Sequence, residues 1–151
     1  MQWLVLIHVL SAVIGLGPAY AFPVMLRKNP SLTEVTRMVG LVSRLETFPK
    51  IFGTLAVVSG LVLVWLGSYG AFMSTWLFGA LMVYVAAEVV VIGWLAPATK
   101  RLSAALDWLG KMSATELDEK SLGLLAKVRS LHLAVCVLAT VIIMLMVIKP
   151  V

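Results

Sequence analysis

The side chains best suited to chemistry in this sequence are His8, Glu88 and His132, and each lies in a long apolar run. Glu88 is the only residue with a formal charge among the 49 residues between Lys50 and Lys100. An ionisable side chain in the middle of a bilayer costs roughly 2.5–3.5 kcal/mol, so it needs a partner or a use. Glu88 is therefore a candidate for a proton relay, a cation site or a ligand pocket. The alternative is a protonated carboxyl group that joins helices by hydrogen bonds.

Helical spacing indicates which groups could share a site with Glu88. Tyr84 lies one turn earlier on the same helical face, where its hydroxyl can donate to the carboxylate. His8 should point into the protein, because the residues that follow on its face are small: Ser11, Gly15 and Ala19. The alternative for His8 is a helix contact in which it bonds to a carbonyl group or water. We predict an intramembrane polar pocket lined by His8, Tyr20, Tyr84 and Glu88.

Pro18 and Pro23 interrupt the hydrogen bonds of the first apolar helix. Because proline has no N–H, the carbonyl groups of Ile14 and Ala19 lose their helical donors. Freed carbonyl groups are tolerated at membrane depth where they line a cavity or are covered by protein. The two prolines therefore predict either a polar cavity or a purely structural bend.

The last apolar run carries residues at intervals of four that share one helical face, namely His132, Cys136, Thr140 and Met144. Histidine, cysteine and methionine are ligands that Cu(I) favours, so His132 and Cys136 are candidate metal ligands, with copper as the metal. Packing against the other helices is the alternative explanation. At a rise of 1.5 Å per residue, His8 and His132 lie about 20 Å apart across the membrane, too far for both to bind one haem.

Four apolar runs determine the fold class. Of all residues, 62% are hydrophobic and 13% are charged, against roughly 25% charged in soluble domains. Since about 20 apolar residues cross the hydrocarbon core, we predict spans over residues 3–26, 51–72, 75–96 and 131–148. The expected fold is all-α: a polytopic membrane protein of one domain, residues 1–151, that forms an antiparallel four-helix transmembrane bundle in the lipid bilayer.

The charges between the spans predict the orientation of the chain. Five lysines and arginines lie between spans one and two and six lie between spans three and four, whereas residues 67–74 contain none. By the positive-inside rule, both basic connections are cytoplasmic and both termini lie outside. This distribution accounts for the net charge of +5 as a topology signal, so no nucleic-acid partner is expected.

The basic connections have helical patterns of their own. Ser31-Leu-Thr-Glu34 is typical of a capping box that starts a helix, and Ser113-Ala-Thr-Glu116 predicts a second start. Pro49 should bend or locally break the first of these helices where it meets the membrane. Helical extensions over residues 31–50 and 98–130 should therefore carry helices two, three and four into the cytoplasm.

Small side chains in the first two spans favour close helix packing. Such residues let helix backbones approach in a membrane, where packing drives association. They recur on one face of span one, at Ser11, Gly15 and Ala19, and in span two, at Ala56 and Gly60. These faces predict contacts within the bundle or, alternatively, the seam of a homo-oligomer.

The segment from Trp3 to Pro23, WLVLIHVLSAVIGLGPAYAFP, resembles the first helix of an uncharacterised family of small integral membrane proteins of bacteria. In length and number of spans this resemblance covers the whole chain. The family is similar in pattern to HemJ-type protoporphyrinogen oxidases and to copper-resistance D-type proteins, chiefly in the first helix. In HemJ-type proteins a first-helix histidine precedes a proline by fifteen residues, as His8 precedes Pro23.

The resemblance implies a location and a ligand. It implies a multi-pass protein of the bacterial cytoplasmic membrane that binds haem or a porphyrin at His8, with copper as the weaker alternative. HemJ-type enzymes pair this histidine with a third-helix lysine, but span three here has Glu88 and no lysine. Val24 stands where an arginine follows their proline. These departures disfavour the oxidase activity.

Three functions fit these patterns. The first is binding of haem or another small ligand in the polar pocket. The second is a proton or ion pathway through Glu88. The third is a membrane scaffold or partner subunit without chemistry, whose helical extensions, with Trp108 near the turn, dock a soluble partner.

Overall fold

The computed structural model describes residues 1–26, 31–67 and 75–149, and within them the chain is helical, with no strand. Six α-helices and one π-helical turn follow in order: α1 (Gln2–Met25), α2 (Leu32–Leu45), α3 (Thr47–Leu66), α4 (Thr75–Val90), the π turn (Val91–Leu95), α5 (Ala96–Lys111) and α6 (Glu119–Ile148). The predicted all-α class is confirmed.

Among the residues that the structure describes, four helical segments are long and apolar enough to cross a membrane. They cover Gln2–Met25, Leu32–Leu66, Thr75–Lys111 and Glu119–Ile148, with 24, 35, 37 and 30 residues. At 1.5 Å per residue, 35 residues extend about 50 Å, well beyond a hydrocarbon core of about 30 Å. The last three segments are therefore longer than one membrane crossing requires, and their extension into the cytoplasm remains a prediction. The second helix ends at Leu66, and residues 68–74, which include the predicted end of span two, lie outside the described residues.

Within the membrane half the helices pack as an open row in the order α3, α1, α6, α4. The contacts run antiparallel: Gly15 of α1 lies against Gly53 of α3, and Gly79 of α4 lies against Leu145 of α6. No Cα atom of α3 lies within 8 Å of one in α4. The transmembrane bundle is therefore open on the side between α3 and α4.

At the other end, which carries the basic connections and is called the basic end below, the bundle is closed. There α2 contacts α1 and α5, and α6 contacts α1 and α5. The apolar residues of α2, namely Leu32, Val35, Val39 and Val42, are buried on one face of the helix, and this face meets α5. The buried core of this end consists of Phe22, Leu26, Leu32, Val35, Val39, Val42, Leu95, Ala98, Leu102, Leu106, Leu109, Leu125 and Val128.

One of the two predicted helix starts is confirmed and the other is wrong. The Ser31 side chain accepts a hydrogen bond from the Glu34 N–H at 3.3 Å and caps α2. Ser113 caps no helix, because it adopts a positive φ of 53° directly after α5. The cap of α6 is Asp118, which accepts from the Ser121 N–H at 3.1 Å. A carboxylate there also interacts favourably with the positive end of the helix dipole.

Prolines explain both irregularities in the long helices. The second helix is interrupted at Glu46, and Pro49 then falls in the first turn of α3, where its missing N–H is not needed. In the third helix the α-helical pattern changes to a π turn at Val91–Leu95, just before Pro97. The Ala96 N–H donates to the carbonyl of Val91, five residues earlier. This wider turn accommodates Pro97, so the helix continues past the proline.

Candidate functional site

His8 projects from α1 and packs against α3. Its Nδ1 lies 2.7 Å from the carbonyl oxygen of Ala56 and 3.3 Å from Oγ of the buried Ser59. Donation to the carbonyl requires the proton on Nδ1, which leaves the Nε2 lone pair free. The ring lies over Gly60, where a Cβ atom would be 2.9 Å from Cε1 of His8. The glycine therefore makes room for the imidazole, and Nε2 is the one nitrogen available to a ligand.

Replacing Gly60 with alanine should push the His8 ring away from α3. The new methyl group would overlap Cε1, so the 2.7 Å hydrogen bond to Ala56 should be lost. Loss of such a bond costs about 0.5–1.5 kcal/mol of unfolding free energy. Gly53→Ala is the matched control, because a Cβ at Gly53 meets nothing within 4 Å. Histidine ring NMR chemical shifts that stay unchanged in Gly60→Ala would contradict this role.

Polar side chains of α6 hold the proline-containing half of α1. The Cys136 thiol donates to the carbonyl oxygen of Ala19 at 3.4 Å, which is the carbonyl that Pro23 frees. Arg129 donates through Nε to the carbonyl oxygen of Pro23 at 3.1 Å. The release of the Ala19 carbonyl is therefore confirmed, and it is covered by protein. Whether the carbonyl group of Ile14 lines a polar cavity remains a prediction.

His132 is part of this contact and is only 3% exposed. Its Nδ1 lies 2.9 Å from the Val128 carbonyl oxygen of its own helix, and the edge of its ring meets Phe22 at a centroid distance of 5.2 Å. Cys136 is turned to α1, while Met144 is exposed. In the part of the chain that is described, no three His, Cys, Asp or Glu side chains are grouped to hold a metal ion. The geometry thus favours packing over metal binding for His132 and Cys136, and copper binding remains a prediction.

Glu88 lies on the flank of α4 beside an open groove. The groove has a volume of about 360 Å³ and is lined by residues of α4 and the π turn: Val85, Glu88, Val89, Ile92 and Gly93. Glu88 is half-buried, and Tyr84 interacts with its carboxyl group from one turn earlier, as predicted. Thirteen residues separate it from the start of α4, or about 20 Å at 1.5 Å per residue. Glu88 therefore lies well inside the apolar part of this helix.

The four residues of the predicted pocket occupy three separate places. His8 contacts α3, whereas the Tyr20 hydroxyl lies 3.0 Å from Oγ1 of Thr140 on α6. Those two residues are twelve apart on one helix, about 18 Å at 1.5 Å per residue. Tyr84 and Glu88 are on α4, which has no Cα atom within 8 Å of α1 or α3. A pocket or proton pathway that joins them would need other groups or water between them.

The predicted small-residue faces are used inside the chain. Gly15 is buried against α3, where an added Cβ would lie 3.1 Å from the backbone nitrogen of Gly53. Gly60 is covered by His8, and the carbonyl of Ala19 faces α6. Of the two predicted alternatives for these faces, the structure shows contacts within the bundle. A seam between copies would need a different face, and the groove beside Glu88 is open.

Sequence reasoning missed Arg129 and Phe22 as members of the α1–α6 contact. More than one hundred residues separate Arg129 from Pro23, so neither local spacing nor charge pattern relates the two. Two features of the sequence could have indicated this contact. Arg129 lies just before the last apolar run, and Pro23 lies near the end of α1.

Comparison with known proteins gives a family and no individual relative. A family model described as "Predicted integral membrane protein (DUF2269)" matches residues 2–150. Neither the curated proteins nor the solved structures include a match to the chain.

Proposed function

This chain belongs to the DUF2269 family of predicted integral membrane proteins, and we propose that it acts as a structural subunit of a membrane assembly, held to its neighbour through the Glu88 groove. The observation that carries the proposal is the contrast between Glu88 and the other polar groups of the membrane half. His8, Cys136 and Tyr20 each bond to a group on a different helix. Within the described residues, Glu88 has only Tyr84 of its own helix beside its carboxyl group, on a face lined by apolar side chains.

A carboxyl group in a membrane span that no other helix pairs is costly, so a neighbour that covered this face would stabilise the protein. Ionisable residues in membrane helices almost always face a protein interior or water and pair with another group. A neighbouring helix seated in the groove would supply that pairing and would cover exposed Val85, Val89 and Ile92. Association with a neighbouring helix explains this arrangement without a cofactor or a catalysed reaction.

The closed basic end fits the same function. Its core is formed by three helices that continue out of the membrane and by the end of α1. We place this end in the cytoplasm of a bacterial cell, on the positive-inside rule. Trp108 and Met112 are exposed near its tip, where they are available to a soluble partner. The subunit would thus connect a lateral membrane neighbour with a cytoplasmic one.

The assembly can be tested by mass. The protein would be extracted from bacterial membranes into polymer nanodiscs, which keep lateral neighbours, and weighed by native mass spectrometry. We expect particles with more than one polypeptide for the unmodified protein and single chains for Val89→Trp, which fills the groove. Val137→Trp is the matched control, because Val137 is exposed on α6 outside the groove. Single chains in the unmodified protein would overturn the proposal.

The free Nε2 of His8 favours haem as a second candidate function. Metal-bound histidines usually donate their other ring N–H to a carbonyl or carboxylate, as Nδ1 of His8 does to Ala56. His8 would hold the iron, and the apolar surface around it suits a flat porphyrin. A Soret band that appears with added haemin and disappears in His8→Ala would support this function. Protein that stays colourless with haemin would count against it.

A further inference from the structure

We propose that an anionic phospholipid binds along the seam between α1 and α6, with its phosphate on the guanidinium group of Arg129. The seam is the surface where these two helices meet. At the basic end it begins at the hydrogen bond between Arg129 and Pro23. It extends into the membrane as far as the hydrogen bond between Tyr20 and Thr140. This site is separate from the Glu88 groove, so the inference goes beyond the proposed function and does not depend on it.

Charged and aromatic side chains place Arg129 at the edge of the hydrocarbon core. Residues 130–148 carry no formal charge, and Lys149 follows twenty residues after Arg129. At 1.5 Å per residue the two cations are about 30 Å apart, the thickness of the core. The Lys149 Nζ lies 5.5 Å from the ring of Trp76, and the exposed Trp94 lies about 27 Å further along the third helix. Because tryptophan favours membrane interfaces, both helices indicate the same two levels.

Arg129 is held so that most of its guanidinium group is available. The side chain is half-buried and donates through Nε to the carbonyl oxygen of Pro23 at 3.1 Å, its one hydrogen bond among the described residues. The N–H groups of both Nη atoms are donors as well. A planar pair of such donors matches two oxygens of a phosphate group. Since Nε is fixed to the backbone of α1, the side chain loses little freedom when a phosphate binds.

Neither helix of the seam supplies a counter-ion for Arg129. The first acidic residue of the sequence is Glu34, so α1 has none. The last is Glu119, ten residues before Arg129 and about 15 Å away at 1.5 Å per residue. Among the described residues the only ion pair joins Lys50 and Glu46. Lipid headgroups surround the protein at the level of Arg129, and those with a net negative charge are complementary to an unpaired cation.

The rest of the seam suits an acyl chain. Leu133 and Val137 follow Arg129 at intervals of four on one face of α6, and they are 48% and 62% exposed. Val24, at the end of α1, is 74% exposed. From Arg129 to Thr140 the seam extends about 17 Å at 1.5 Å per residue, close to half of a core of about 30 Å. One acyl chain of the same leaflet therefore matches the length of the seam.

Native mass spectrometry with two lipids tests the site. Protein in mild detergent would be incubated with equal amounts of phosphatidylglycerol and phosphatidylcholine, which share a phosphate and differ in net charge. We expect about tenfold more adducts of the anionic lipid, from a charge-assisted bidentate contact. Arg129→Lys should lower this ratio to about twofold or less, because lysine is a point charge without the planar pair of donors. Lys127→Gln is the matched control, since Lys127 is exposed two residues earlier, and it should leave the ratio unchanged.

A fluorophore beside the seam tests the location with Arg129 intact. Cys136 is the only cysteine, and Cys136→Ser keeps a donor for the Ala19 carbonyl, so this variant serves as background. Val24→Cys would carry the fluorophore in phosphatidylcholine vesicles that contain a trace of spin-labelled lipid. We expect spin-labelled phosphatidylglycerol to quench it severalfold more than spin-labelled phosphatidylcholine. Val147→Cys, exposed near the other end of α6, should be quenched equally by both.

Each outcome supports or overturns a definite part of the inference. Equal retention of the two lipids, or equal quenching at Val24→Cys, would overturn the site. An unchanged ratio in Arg129→Lys, or an equal loss in Lys127→Gln, would overturn the guanidinium contact and leave a general attraction of the basic end for anionic lipid. Displacement of phosphatidylglycerol by an equal concentration of inorganic phosphate would overturn the lipid as the ligand. The quenching measurement stays decisive even if Arg129→Lys fails to fold.

Discussion

Leu102→Ala is expected to lower the unfolding free energy by about 2–5 kcal/mol, the cost of removing a large buried side chain whose cavity does not collapse. Leu102 is 0% exposed and lies in the core of the basic end, where α1, α2, α5 and α6 close into a ring. The measurement is unfolding in mild detergent by titration with sodium dodecyl sulfate, followed by circular dichroism. The loss should not depend on protein concentration, because the core lies within one chain.

Ile92→Ala is the matched control for Leu102→Ala. In a single chain Ile92 is exposed, so its truncation should change stability by less than about 0.5 kcal/mol. A loss below about 1 kcal/mol for Leu102→Ala would mean that the basic end is not the stable part of the molecule.

The basic end was the part of the fold that the sequence predicted in most detail, and the reason is physical. A helix outside the bilayer separates apolar from polar residues, so Leu32, Val35 and Val39 in the sequence already identify the buried face of α2. The wrong helix start at Ser113 shows the limit of such signals. Asp118 is an equally good cap, and the structure uses it, whereas Ser113 has a left-handed backbone.

Inside the membrane the sequence predicted which helices exist but not how they are arranged. A span is apolar all round, because lipid and protein interiors both accept apolar side chains, so spacing does not separate an inner face from an outer one. His8 and Glu88 both looked like interior residues for this reason. In the structure His8 lies against Ala56. Glu88 lies beside an open groove, because α4 contacts α6 and does not contact α3.

Gly15→Leu is expected to separate α1 from α3 and to lower the unfolding free energy by about 1–3 kcal/mol or more, as overpacking does. An added Cβ would lie 3.1 Å from the Gly53 backbone nitrogen and 3.2 Å from Cβ of Phe52. Neither atom can rotate away, so the whole helix must move. The Cys136→Ser background would carry spin labels at Leu10 and Leu61, both exposed, and the distance between them should increase.

Gly17→Leu is the matched control, because Gly17 is two residues away and a Cβ there meets nothing within 4 Å. It should leave both the label distance and the stability unchanged. When α1 moves in Gly15→Leu, His8 should also lose the Ala56 carbonyl, although no residue near the ring has changed. Haemin binding that survives in Gly15→Leu would then show that the ligand does not need the clamped histidine. An unchanged label distance would instead contradict the close approach of α1 and α3, on which the free Nε2 of His8 depends.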